Sequence, residues 1–165
     1  MTWSVSFDFK PVGDPISGWG NIFHNSIGAD SGIPGSRIPG IYTTPGAHQL
    51  YISSYVNGIV DYAVTVNTVL TMEWHTILVE QQFVNLKYMY TIVVDGELIH
   101  SVENTTPEMF YDVKTWVSNE WYDSSPGLLK NLKIITEKCK MQISLLFNLK
   151  VITRFMQVRI SSERK

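Results

Sequence analysis

Trp3, Val5, Phe7 and Phe9 alternate with Ser4, Ser6, Asp8 and Lys10, and a period of two with one apolar face is the signature of a half-buried β-strand. Pro11-Val12-Gly13-Asp14-Pro15 ends that strand, because its prolines remove ladder donors and its glycine permits a turn. Further strands are expected over Trp19–Ile27, Arg37–Thr43 and Gln49–Val56, with a long turn-rich loop from Gly28 to Gly35. Asn57-Gly58 and Asp95-Gly96 predict type I′ hairpins, which need positive φ at both central residues. They place strands at Ile59–Val66, Tyr88–Val94 and Glu97–Val102. Between them lies Trp74–Val84, with Ile77, Val79 and Phe83 expected on one face and Glu80 and Gln82 on the other. Val113, Thr115 and Val117 alternate with Asp112, Lys114 and Trp116, and Leu128, Leu132 and Ile134 complete a last strand. Nine or ten short strands at even spacing, with no strong amphipathic helix among them, predict an all-β sandwich or barrel.

The chain has 165 residues, enough for one domain with one core. Its 44% apolar and 17% charged composition excludes a disordered chain. Charge divides it in two: residues 1–135 carry 6 basic and 13 acidic side chains, and the last thirty carry 7 basic and 2 acidic. A body of net charge −7 and a tail of +5 are different materials, so a body over 1–135 and a basic, apolar tail over 136–165 are expected. A basic tail suits nucleic acid, an anionic membrane or the acidic body itself, and charge alone establishes none of these; no nucleic-acid partner is expected. The tail's periodicity from Ile143 to Ile160 fits neither helix nor strand cleanly. Leu145, Leu146, Phe147, Val151, Ile152 and Phe155 are its apolar residues, and the tail is expected to be dispensable for folding of the body.

Chemistry-bearing motifs are sparse. Cys139 is the only cysteine, so no intrachain disulfide forms, and His24, His48, His75 and His100 show no zinc-ligand spacing. No nucleophile elbow, phosphate-binding glycine loop or glycosidase Glu-x-Asp-x-x-Glu strand is present. The chain is therefore not expected to be an enzyme. Asn104-Thr105-Thr106 is a glycosylation sequon, weakened by Pro107. There is no transmembrane run and no secretory signal after Met1, so the expected location is cytosolic, or extracellular if the chain is part of a larger protein.

Trp74-His75-Thr76-Ile77 through Glu80-Gln81, then Tyr88-Met89-Tyr90-Thr91-Ile92 with Val94-Asp95-Gly96, resemble the central strands of concanavalin A-like, laminin G-like jelly rolls. Val113–Ser118, Trp121-Tyr122 and Leu129–Leu132 resemble their closing strands, and Asn21–His24 with Arg37-Ile38-Pro39 the opening half. The resemblance covers about residues 3–135 and implies a two-sheet antiparallel jelly-roll sandwich with the basic tail appended. It also implies a calcium site, for which Asp30, Asp61 and Asn119 are the candidates.

Trp19, Trp116, Trp121 and Tyr122 offer flat faces for stacking on sugar rings, and His24, Arg37 and Asn119 offer polar groups to fix orientation. Rings of this kind are also ordinary core residues; Trp121-Tyr122, followed by Asp123-Ser124-Ser125-Pro126-Gly127, is the most loop-like pair. The expected function is a non-catalytic recognition module for carbohydrate or a protein partner, through loops and one sheet face. The alternatives are a glycan-acting hydrolase with an unrecognised carboxylate pair and an adhesive domain of a larger extracellular protein.

Overall fold

The computed structural model describes residues 1–136 in full and, for their backbone, residues 140–143, 147–148 and 156–159. The strands are β1 (Trp3–Pro11), β2 (Gly20–Ser26), β3 (Gly40–Thr43), β4 (Gln49–Val56), β5 (Ile59–Val69), β6 (His75–Val84), β7 (Lys87–Val94) and β8 (Glu97–Glu103). They continue with β9 (Lys114–Val117), β10 (Asp123–Ser124), β11 (Gly127–Thr136), β12 (Lys140–Ile143), β13 (Phe147–Asn148) and β14 (Met156–Arg159). One sheet has the order β12-β11-β1-β6-β7-β8, with β13 also on β11. The other has the order β14-β9-β2-β3-β4-β5, with β10 on β2. Every pairing is antiparallel except β10 with β2. The chain is an all-β, two-sheet sandwich, as the alternation predicts.

The core lies between the sheets. Val5, Phe7 and Phe9 enter it from β1, and Phe7 meets Phe23 of the opposite sheet at 5.8 Å between ring centroids. The Asn57-Gly58 and Asp95-Gly96 turns have positive φ at both residues, as a type I′ hairpin requires. Asn85-Leu86 adopts the same left-handed pair without a glycine, which sequence pattern does not announce.

Four expectations need correction. The strand over Arg37–Thr43 begins only at Gly40, because Ile38 donates its backbone N–H to Asn25 and Arg37 turns its side chain onto a loop. On β6, Phe83 shares the parity of Ile77 and Val79 but lies past the end of the core. It is exposed and stacks on Tyr88, while Gln81 is the buried residue. On β9 both faces are buried, Trp116 included, because a loop covers the outer face. Asn104 of the sequon is also buried; its side chain donates to Gln81 and accepts from the backbone of Asn57 and Thr106.

Beyond Thr136 the described backbone adds edge strands: β12 pairs with β11, and β14 with β9. Leu145, Leu146, Val151, Ile152 and Phe155 lie outside the described residues. No helix among the described residues is long and apolar enough to cross a membrane.

Candidate functional site

The outer face of the second sheet carries the aromatic and polar residues singled out from the sequence. His24 on β2 is opposite Trp116 on β9 and Gly40 on β3, so their side-chain positions share that face. A methyl group on Gly40 would lie 2.7 Å from the Tyr42 hydroxyl, so glycine is what lets the Tyr42 ring lie flat across the sheet beside His24.

His24 is fully buried, and its two ring nitrogens have different partners. Nε2 lies 2.7 Å from the Ser36 carbonyl; Nδ1 lies 2.6 Å from Asn119 Nδ2 and 3.2 Å from the Tyr42 hydroxyl. A carbonyl only accepts and an amide nitrogen only donates, so the ring is the neutral tautomer with its proton on Nε2. Burial pushes its pKa down to about 4, and Arg37 adds to that, against the opposing effect of the Ser36 hydrogen bond.

Asn119 ties the covering loop to this floor. Its backbone N–H donates to Asn21 Oδ1 at 2.8 Å, and its own Oδ1 accepts from the backbone of Trp121 and Tyr122 at 3.1 and 3.0 Å. An asparagine accepting from residues two and three further on fixes a turn, and the turn lays Trp121 against His24 and Trp116, at 5.3 and 5.4 Å between ring centroids.

Arg37 locks the other side. Its Nε donates to the Asp30 carbonyl at 3.0 Å and its Nη2 to the Tyr122 hydroxyl at 3.3 Å. Its guanidinium lies 3.5 Å from the Asp30 carboxylate, 3.6 Å from that of Asp61, and over the Tyr42 ring at 5.2 Å. Burial alone would weaken its charge, but Tyr42, Asp61 and Asp30 outweigh that and hold its pKa above the ordinary value. The Tyr122 hydroxyl donates to Asp30 Oδ2 at 3.0 Å, and burial with that bond pushes the phenol's pKa up. Burial raises the Tyr42 phenol further, so both are neutral hydroxyls at ordinary pH.

Above this floor lies an open cleft of about 430 Å³ lined by Gly18, Trp19, Glu120, Trp121, Tyr122 and Asp123. Trp19 is 39% exposed and packs edge-on against Tyr51 at 4.8 Å. Thus His24, Arg37, Asn119, Trp121 and Tyr122 form one connected cluster, and Trp19 lines the same cleft as Trp121 and Tyr122.

The calcium candidates do not fit a calcium site. Asp30 and Asp61 converge on the guanidinium of Arg37, which takes the position of a cation, and the Asn119 carbonyl oxygen is committed to two backbone N–H groups. Among the described residues no group of three His, Cys, Asp or Glu side chains is arranged to hold a metal ion.

No family model matches the chain. No curated protein matches it either. Among solved structures it is similar to the native heptameric SAP-like pentraxin from Limulus polyphemus, with a TM-score of 0.49 and 11% sequence identity over 88% of this chain and 81% of that one.

Sequence reading missed Tyr42 and Tyr51 as parts of the cluster. Each sits inside a regular strand, where an aromatic residue is unremarkable, and only the register that stacks β9, β2, β3 and β4 brings them together. Glu120 and Asp123 were visible only as neighbours of Trp121-Tyr122, and they are the two acidic residues of the cleft lining.

Proposed function

We propose that the protein is a non-catalytic recognition module that binds carbohydrate in the cleft between Trp19 and Trp121-Tyr122. The observation that carries this is the cleft's composition: of its six lining residues three are aromatic, Trp19, Trp121 and Tyr122, and two are acidic, Glu120 and Asp123. Sugar rings present apolar C–H faces that pack on aromatic surfaces, and hydroxyls that donate to carboxylates. The Asn119 turn and the Arg37 ion pairs hold two of those walls in place before a ligand arrives, which lowers the ordering cost of binding.

Screening the protein on a broad glycan array in buffer containing a chelator tests the reading. Binding that persists without calcium supports it, since among the described residues no group of three His, Cys, Asp or Glu side chains is arranged to hold a metal ion. Absence of binding to every glycan, with or without added calcium, removes it.

A glycan-acting hydrolase is the second reading, favoured by the two carboxylates in one cleft. New reducing ends after prolonged incubation with an array-positive glycan, lost in Glu120→Gln, would establish it over simple recognition.

A further inference from the structure

The hairpin between β6 and β7 turns through a residue pair that its backbone does not favour. At Asn57-Gly58 and Asp95-Gly96 glycine stands second, where positive φ costs no steric strain; here the pair is Asn85-Leu86, with φ of 51° and 65°. A bulky side chain in the left-handed region is strained. Leu86 is also 87% exposed, more than any other large apolar residue described. Backbone geometry and water therefore both disfavour leucine at this position.

The turn caps a projecting spike. The last partner of β6 on β1 is Trp3, opposite Gln81, and the first partner of β7 on β8 is Glu103, opposite Met89. Beyond them, among the described strands, Gln82, Phe83 and Val84 pair only with Met89, Tyr88 and Lys87 of their own hairpin, so the ladder runs roughly 10 Å past its flanking strands. One bond braces its base, from the Asn104 N–H to the Tyr88 carbonyl at 2.7 Å. Phe83 and Val84 are successive strand residues and point to opposite faces, and they are 51% and 49% exposed. Lys87 is the only charged residue from Gln82 to Tyr88, and its ammonium is held by Glu103 at 2.7 Å.

We infer that this spike is a peripheral membrane-docking element, which inserts Phe83, Val84 and Leu86 into the interfacial layer of an electrically neutral bilayer. A protein surface laid against one face of the hairpin would leave the other face wet. Apolar side chains on both faces and at the tip are covered together by a medium that surrounds them, as lipid does. The Tyr88 ring, packed on Phe83 at 4.9 Å, is the amphipathic kind that settles at headgroup level. The Lys87–Glu103 pair leaves no net charge beside the tip, and the acidic body is repelled by anionic headgroups, so a phosphatidylcholine surface fits. The spike shares no residue with the aromatic cleft, so docking and glycan binding are independent.

The test is flotation of the full chain with phosphatidylcholine vesicles, with and without added phosphatidylglycerol, at low and high salt. The native chain is expected to float with the neutral vesicles, with no gain from phosphatidylglycerol and no loss at high salt, because apolar contact is not screened. Leu86→Gly removes the side chain and suits the positive φ, so it should fold at least as stably while binding the vesicles about tenfold more weakly. Leu86→Asn, polar and tolerant of the same φ, should lose binding likewise, and both variants should keep native glycan binding. No flotation with neutral vesicles at millimolar lipid would overturn the assignment. So would binding that needs phosphatidylglycerol and disappears at high salt, or equal flotation of the native chain and Leu86→Gly.

Discussion

Acidification should destabilise the protein through His24 by an amount that can be worked out from the floor of the cleft. In the unfolded chain this histidine titrates at its ordinary value of 6.5; in the folded chain burial holds it near 4. Between those values the unfolded state binds a proton that the native state refuses, so stability is complete above pH 6.5 and falls as pH drops toward 4. A depression of about 2.5 units at 1.36 kcal/mol each gives a loss of about 3 kcal/mol, a large share of a typical domain's 5–15 kcal/mol. Structurally, protonating Nδ1 would set an N–H against the Asn119 amide, which also only donates, and so break the tie that holds the covering loop. The assay is urea unfolding at pH 7 and pH 4 for the native sequence and for His24→Gln. Glutamine is neutral throughout, so its own cost does not vary with pH, and the carboxylates common to both proteins cancel in the difference. The advantage of the native sequence over the variant should shrink by about 3 kcal/mol between the two pH values. A difference that stays constant within about 0.5 kcal/mol would refute the reasoning and mean that His24 is neither buried nor neutral as described.

Phe7→Ala should cost about 3–5 kcal/mol in urea unfolding, since Phe7 is 1% exposed and spans the sheets to Phe23; an unchanged midpoint would contradict the core assignment. Arg37→Met leaves Asp30 and Asp61 facing each other without a cation, and because their side chains remain 25% and 35% exposed the loss should be roughly 2–3 kcal/mol, below the full cost of breaking a buried pair. Hydrogen exchange should quicken in residues 28–36 of that variant, and protection equal to the native chain would count against the locking role. A chain ending after Ile135 is expected to unfold cooperatively with a near-unchanged midpoint, because the sign of the charge reverses there; aggregation or loss of folding would show that the later strands belong to the same unit.

Much of the sandwich is legible in the sequence wherever one face of a strand is wet. β1 reads cleanly because Ser6, Asp8 and Lys10 face outward between Val5, Phe7 and Phe9. The turns at Asn57-Gly58 and Asp95-Gly96 read cleanly because their backbone demands those residues. β9 is legible as a strand from its alternation, but the burial of both its faces is not, since only the structure shows the loop that covers Trp116. β10 is two residues long and runs parallel to β2, with no periodicity to detect. The cleft divides in the same way. Trp121-Tyr122 stand out from sequence as aromatics in a turn-rich loop. The pairing of Arg37 with Asp30 and Asp61 does not, because Asp61 comes from β5 and only the β3-β4-β5 register brings it near.

The most direct test of carbohydrate recognition is calorimetric titration of the best array glycan into the native protein and into Trp19→Ala. Trp19 is 39% exposed and lies outside the His24 and Arg37 network, so its removal should leave the unfolding midpoint within a degree or two. Loss of a stacking wall should weaken binding by about tenfold or more, in line with 0.5–1.5 kcal/mol for the ring contact plus the apolar area it covers. Unchanged affinity in a variant that folds normally would contradict the placement of the ligand between Trp19 and Trp121-Tyr122.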